Sequence, residues 1–178
     1  MLLSPGSLER SFRSLNRSPN RFVWRVSENG RVIVFEEYEI KTGGRLDTVD
    51  ITQDVQDMVR RSGIGDGSVL VFSPHTTCCV MIAARDVGTS ARLADVMESL
   101  APSNGYYAHD DLSIRTENLI EHEPANAPAH LYNVFAGKTS ECIPVAGGSV
   151  VLGHNQRVLF VELDSSRKRR YFVQVVGR

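Results

Sequence analysis

Five histidines, His75, His109, His122, His130 and His154, carry the chain's best prospects for chemistry near neutral pH. An imidazole can donate, accept or ligate a metal there. All except His122 fall at the boundaries of predicted elements, where a rigid frame can aim a side chain into a cleft. No pair has the H-x-E-x-x-H or C-x-x-C spacing that would specify a metal by itself, so spacing alone leaves ordinary hydrogen-bonded histidines as the alternative. His75 is followed by Thr76 and Thr77. Their hydroxyls and backbone N–H groups can grip an anion or simply cap the start of a strand. Cys78 and Cys79 come next, but strand alternation turns them to opposite faces and no basic neighbour activates either thiol, so both read as packing residues. The one basic cluster of the body, "SSRKRR" (165–170), lies on a predicted turn that splays its side chains. Nucleic-acid binding would need aromatic interleaving or a broader patch, although one of these arginines can reach a phosphate bidentately.

The elements that must position these residues are mostly strands. "RVIVFEEYEI" (31–40) is β-branched and aromatic, with residues 22–26 as a partner across a turn at 28–30. A helix capped by Asp50 or Thr52 places Ile51, Val55, Met58 and Val59 on one stripe and stops near Gly63. "SVLVFS" (68–73) is a continuous apolar run, the pattern of a buried strand, and it delivers the chain to His75. "TTCCVMIAA" (76–84) reads as its antiparallel return. A second helix over 89–101 puts Leu93, Val96, Met97 and Leu100 on one face. Residues 102–125 read as loop. A short helix follows, capped by Asn126, with Pro128 in its first turn and Gly137 at its end. Strands at 140–145 and 149–153 flank a turn at 146–148, and "RVLFVELD" and "RRYFVQVVG" flank another at 165–168. Strands interrupted by helices without strict alternation predict an α+β fold with a mostly antiparallel sheet or sandwich and not a doubly wound one.

At 178 residues, with 42% hydrophobic and 23% charged residues, the chain is long enough to bury a real core. The net charge of −1 gives no global field for nucleic acid or membrane, and no apolar run is long enough to span a bilayer. Three cysteines, two of them adjacent, are a poor disulfide framework and suit a cytoplasmic protein. Residues 1–20 are Arg- and Ser-rich and are read as a flexible extension outside a single domain over 21–178. Leu8, Phe12 and Leu15 leave a transit-peptide-like face as the other reading.

The segments "HTT" (75–77), "YYAHDDLSIRTEN" (106–118), "NAPAHL" (126–131), "IPV" (143–145), "LGHNQRVLFVELD" (152–164) and "RKRRYFVQVVG" (167–177), taken in order, resemble the YjbQ family of secondary thiamine-phosphate synthase-like proteins. The resemblance covers the chain from about Arg31 to Arg178. It implies an α+β fold, a mostly antiparallel β-sandwich with a few short helices, assembled as a homotrimer with clefts near subunit boundaries, and a site built from His75, His109 and His130. Those three histidines would hold a divalent metal, zinc first, or without metal form an anion pocket. Asp110 joins the catalytic set, with Asn126 beside it as an orienting and substrate-binding group.

The chain departs from the family pattern at three places. Where the family carries Asn-Glu-Asn, Ala83, Ala84 and Arg85 stand, followed by Asp86. Gly-Thr-Trp-Gln appears as Gly153, His154, Asn155 and Gln156, and Asp-Gly-Pro-Arg as Asp164, Ser165, Ser166 and Arg167. A carboxylate and an aromatic wall are thus replaced. The expected function is a small-molecule enzyme, a transferase or another specialised metabolic enzyme on the same scaffold, acting on a small polar or phosphorylated, anionic metabolite. Its remodelled pocket would use Thr76, Thr77, Arg85, Asn126, His154, Gln156 and Arg167. Thiamine-phosphate synthase-like activity and a non-catalytic trimeric metal- or anion-binding protein are the alternatives.

Overall fold

In the computed structural model the described residues are 12–14, 21–26, 31–84 and 87–178; for 12–14, 21–26, 87–91 and 136 only the backbone is described. The chain order is β1 (Phe12–Ser14), β2 (Arg21–Val26), β3 (Val32–Lys41), β4 (Thr48–Asp50), α1 (Thr52–Ser62), β5 (Gly67–Phe72), β6 (Cys78–Ala84), α2 (Val87–Leu100), α3 (Ala127–Ala136), β7 (Ser140–Ala146), β8 (Ser149–Val150), β9 (Gln156–Glu162) and β10 (Lys168–Gly177). Two sheets form, a four-stranded one ordered β1-β4-β9-β6 and a six-stranded one ordered β2-β3-β10-β5-β7-β8. Every pairing is antiparallel except β1 with β4. The α+β, mostly antiparallel architecture expected from the strand-rich pattern is therefore present.

Alternation explains the core. Val34, Tyr38 and Ile40 of β3, Val69 and Val71 of β5, and Tyr171, Val173 and Val175 of β10 point inward to meet Val80, Val158 and Phe160 of the other sheet. Helix α1 closes this core with Val55, Met58 and Val59, all fully buried. The other face of the four-stranded sheet carries Cys79, Leu159 and Val161, which pack against Met97, Ala129 and Tyr132 of α2 and α3. Cys78 lies in the first cluster and Cys79 in the second, as strand alternation requires.

Several local expectations are corrected. Residues 78–84 do not return beside β5: β6 pairs with β9 in the opposite sheet. Likewise β9 and β10 are not a hairpin, because β10 lies between β3 and β5. Both of these strand pairs, β5–β6 and β9–β10, switch sheets at a short polar corner. Strand β5 is buried on one face only, with Leu70 and Phe72 on its outer side. On α2, Val96 and Leu100 are exposed while Met97 is buried, so the predicted stripe packs along one edge.

The helix ends differ in detail too. Ile51 occupies the N-cap position of α1, and Asp50 Oδ1 instead accepts the N–H of Thr52 at 3.0 Å. Gly63 stops that helix with φ 69°, a conformation only glycine adopts cheaply. Gly137 ends α3 for another reason: a Cβ there would lie 2.7 Å from Asn133 O and 2.8 Å from Cys79 Cβ. The expected flexible extension over 1–20 falls mainly outside the described residues, though Phe12–Ser14 within it pairs with β4. The turn at 28–30 lies outside them as well. No helix among the described residues is long and apolar enough to cross a membrane.

Candidate functional site

Two of the sheet-switching corners lie side by side. Residues 73–77 carry the chain from β5 to β6, and residues 163–167 carry it from β9 back to β10. Leu163 N–H donates to Thr77 O at 3.0 Å, tying one corner to the other. Beneath them Arg169, only 7% exposed, makes a bidentate ion pair with fully buried Glu162, both N···O distances being 2.6 Å. Glu162 also accepts Thr42 Oγ1 at 2.9 Å and Asp164 N at 3.0 Å, so both carboxylate oxygens are doubly bonded to donors. Arg169 Nη2 donates to Thr77 Oγ1 at 3.1 Å. That leaves the Thr77 hydroxyl hydrogen available to a further acceptor.

Over these corners lies the long segment 102–125, more than a simple connection needs. Asp110 fixes it to α3, its Oδ1 accepting the N–H groups of Asn126 and Ala127 at 3.0 Å each. Asp110 therefore holds the loop to the start of the helix and places His109 against His130, with ring centroids 4.6 Å apart. Arg115 braces His109, its Nη1 donating to both the ring Nε2 and the backbone O at 3.1 Å, and it pairs with Glu123 at 2.7 Å. The guanidinium can only donate, so Nε2 of His109 accepts and Nδ1 carries the proton.

The result is a cleft of about 300 Å³. His75, Thr76 and Thr77 form one wall, His109 and Arg115 another, Asn126 and His130 a third, and Arg167 and Arg169 complete it. Arg167 is aimed by Asp164, 2.7 Å from its Nη2. Burial, and then the Arg169 and Arg170 charges, hold His75 below the usual histidine range. Burial, followed by His109, does the same to His130. Both shifts favour the neutral imidazole, and an anion bound beside the rings would act the other way, favouring the charged form.

Of the sequence-selected residues, His75, Thr76, Thr77, His109, Asn126, His130 and Arg167 share this cleft. Asp110 stands behind it, bonded to backbone. His154 and Gln156 do not reach it: His154 is exposed, and Gln156 Oε1 accepts Gly153 N at 2.8 Å. Gln156 pairs with Ala84 at the far end of β6, roughly 20 Å from the Cys78 end at ~3.3 Å per residue. Arg85 lies outside the described residues. His122 is exposed beside Glu121. The sequence reading missed Arg115, Arg169 and Glu162. Arg169 was detectable, since it shares the alternation of Tyr171, Val173 and Val175 and must face inward with them.

The three histidines do not fit a metal as arranged. Among the described residues no three His, Cys, Asp or Glu side chains are placed to hold one ion. His75 Nε2 already accepts Arg170 N–H at 3.1 Å and His109 Nε2 accepts Arg115. Guanidinium groups around them suit an anion instead.

Comparison with known proteins decides the family. The model of the UPF0047 protein YjbQ-like family matches residues 36–178. The chain belongs to this family. A UPF0047 protein of Archaeoglobus fulgidus is 36% identical over 140 residues, covering 79% of this chain and 99% of its own length. One from Methanothermobacter thermautotrophicus is 33% identical, covering 80% and 92% respectively. Among solved structures, a YbjQ-like protein of unknown function from Sulfolobus solfataricus is 26% identical with a TM-score of 0.72, covering 83% of this chain and 99% of that one. A hypothetical protein from Aeropyrum pernix is 29% identical with a TM-score of 0.69, covering 81% and 98%.

Proposed function

We propose that this UPF0047 protein is a small-molecule enzyme whose cleft takes the phosphate or pyrophosphate group of an anionic metabolite. The observation that carries this reading is the lining: three arginines, three imidazoles and two threonines face one space, against a single carboxylate, Glu123. Glu162 and Asp164 sit behind Arg169 and Arg167, orienting them while each guanidinium keeps N–H groups to spare. The neutral histidines supply the chemistry. An imidazole that takes a proton as the anion binds can return it to a leaving oxygen, and the arginines stabilise the charge that develops there. This suits group transfer with loss of phosphate or pyrophosphate. Thiamine-phosphate formation is one such reaction.

The homotrimer that the family resemblance implies is part of the proposal. Leu70, Phe72, Val134 and Phe135 leave exposed apolar surface for it, and assembly is the route by which His154 of one copy could reach a cleft of another. Light scattering that gives a monomer at working concentrations would remove this part.

The test is isothermal titration of inorganic phosphate into chelator-treated protein. Arg115→Ala and Arg167→Ala should each weaken binding about tenfold or more, and His122→Ala by less than about twofold. Absent binding, or binding indifferent to both arginines, would overturn the reading. Binding that returns only when zinc is added would favour the metal instead. Turnover of a panel of phosphorylated metabolites, with the pyrimidine pyrophosphate and thiazole phosphate pair included, separates an enzyme from a binding protein.

A further inference from the structure

Each cleft arginine is paired with a carboxylate: Arg169 with Glu162, Arg167 with Asp164 and Arg115 with Glu123. Only the third carboxylate faces the ligand space, because Glu123 lines the cleft and the other two do not. Its Oε1 lies 2.7 Å from Arg115 Nη1, and its side chain is 11% exposed. Its Oε2 accepts the Ile120 N–H at 3.0 Å. That hydrogen bond, and after it Arg115, holds the Glu123 carboxyl below the usual glutamate range, so the group is charged at pH 7. Arg115 Nη1 has two hydrogens but three acceptors within 3.1 Å, namely Glu123 Oε1 and both the Nε2 and the backbone O of His109. No hydrogen is left there for a ligand, so a ligand oxygen that uses Nη1 must displace one of the three.

The surroundings say which one yields. His109 is anchored, since Asp110 beside it is bonded to the start of α3. Glu123 instead ends a stretch, 116–122, in which every residue is exposed. Asn118 and His122 in that stretch have φ 55° and 59°, in the left-handed region that costs a side-chain-bearing residue energy. The described bonds that hold the stretch to the cleft are Arg115 Nη2 to Asn118 O, at 3.0 Å, and Ile120 N–H to Glu123. Both depend on the partners of the one ion pair. We infer that Glu123 is a built-in anion: it occupies Arg115 in the free protein, and the ligand's phosphate takes Arg115 by displacing it toward solvent with the 116–122 stretch. This rests on the anion reading of the cleft and adds a selectivity to it. A ligand bearing only a carboxylate exchanges like for like at Arg115 and gains little. A doubly charged phosphate group keeps a second charge for Arg167 and Arg169, whose own carboxylates stand behind them.

The experiment compares sulfate binding by the full-length wild-type protein and by Glu123→Gln, using isothermal titration after chelator treatment. The substitution keeps the side chain's volume and an oxygen for the Ile120 N–H, but removes the competing charge. Glu123→Gln should bind sulfate about tenfold tighter than the wild type does. Acetate should bind the wild type at least about tenfold more weakly than sulfate. Saturating sulfate should also speed hydrogen exchange at the wild-type Ile120 amide by about threefold or more, read by NMR, because Glu123 then leaves it. That measurement decides the matter if Glu123→Gln does not fold. Sulfate binding that is unchanged or weaker in folded Glu123→Gln, acetate as tight as sulfate, or an Ile120 amide that sulfate leaves unchanged or slows would each overturn the inference. If neither sulfate nor inorganic phosphate binds either protein, the anion reading itself falls and takes the inference with it.

Discussion

Two buried carboxylates, Glu36 on β3 and Glu162 on β9, are both fully shielded from solvent and both paired with arginine, yet they are finished differently. Glu162 receives four donors, and its arginine is itself buried and bonded to Thr77 in the cleft wall. Glu36 receives the Tyr38 hydroxyl and Arg61 on one oxygen, at 2.5 Å each, while its other oxygen has no described partner. Burial and the Glu36 hydrogen bond push the Tyr38 hydroxyl well above the ordinary tyrosine range. Arg61, with a side chain 44% exposed, closes this cluster from the surface. The first arrangement is a rigid floor for a binding site, and the second is a tie between α1 and the six-stranded sheet.

The comparison predicts its largest effect at the floor. Arg169→Ala leaves Glu162 buried and unpaired and should cost about 3–5 kcal/mol in denaturant unfolding, with loss of anion binding. Arg61→Ala removes a partner that water can partly replace, so about 1–2 kcal/mol is expected, with anion binding kept. Equal losses at the two sites would mean that the clusters do not differ in kind.

Next in size is the response to pH. His75 and His130 have depressed values in the folded state, so the unfolded chain binds more protons as pH falls below about 6.5. Stability from these groups is complete above that pH and is lost as pH falls through their folded values. A bound anion favours the charged imidazoles and reverses the sign for binding. Sulfate, doubly charged throughout this range, should bind more tightly as pH drops from 7 to 5.5, by up to about tenfold per pH unit for each proton taken up. Calorimetry showing sulfate affinity flat across that window would break the link between the histidines and the anion.

The smaller effects lie away from the site. Burial pushes the Cys79 thiol up to about 12 and Cys78 higher still, whereas Cys142 is exposed. A thiol reagent should therefore label Cys142 alone in the native protein, as read by mass spectrometry, and labelling at either neighbour would mean that the β6 corner opens. Ala84→Glu places its carboxylate at the far end of β6 and should change phosphate affinity less than about twofold within one subunit, because charges that distant are screened. A larger change would require the cleft to be completed by another copy.

Much of this was legible in the sequence, for physical reasons that also explain the failures. Strand β3 and helix α1 follow from alternation and a 3.6-residue stripe, which are local. Which sheet a strand joins is not local. The short polar links 73–77 and 163–167 looked like hairpin turns, yet both are crossovers, and those crossovers build the cleft. His75, His109 and His130 could be gathered by resemblance alone, since three separate elements carry them. Arg169 was treated as one charge in a basic block when its inward phase in β10 was already set by Tyr171 and Val173. Asn126 looked like an ordinary cap; only the surrounding contacts reveal that its oxygen caps nothing.

The most direct test of the central claim is to follow the histidine ring resonances of chelator-treated protein by NMR during titration with inorganic phosphate. If His75, His109 and His130 share one anion site, their signals should move together with a single dissociation constant, the rings of His75 and His130 shifting toward the protonated form, while His122 and His154 stay still. Three different constants, or movement confined to the exposed pair, would contradict it.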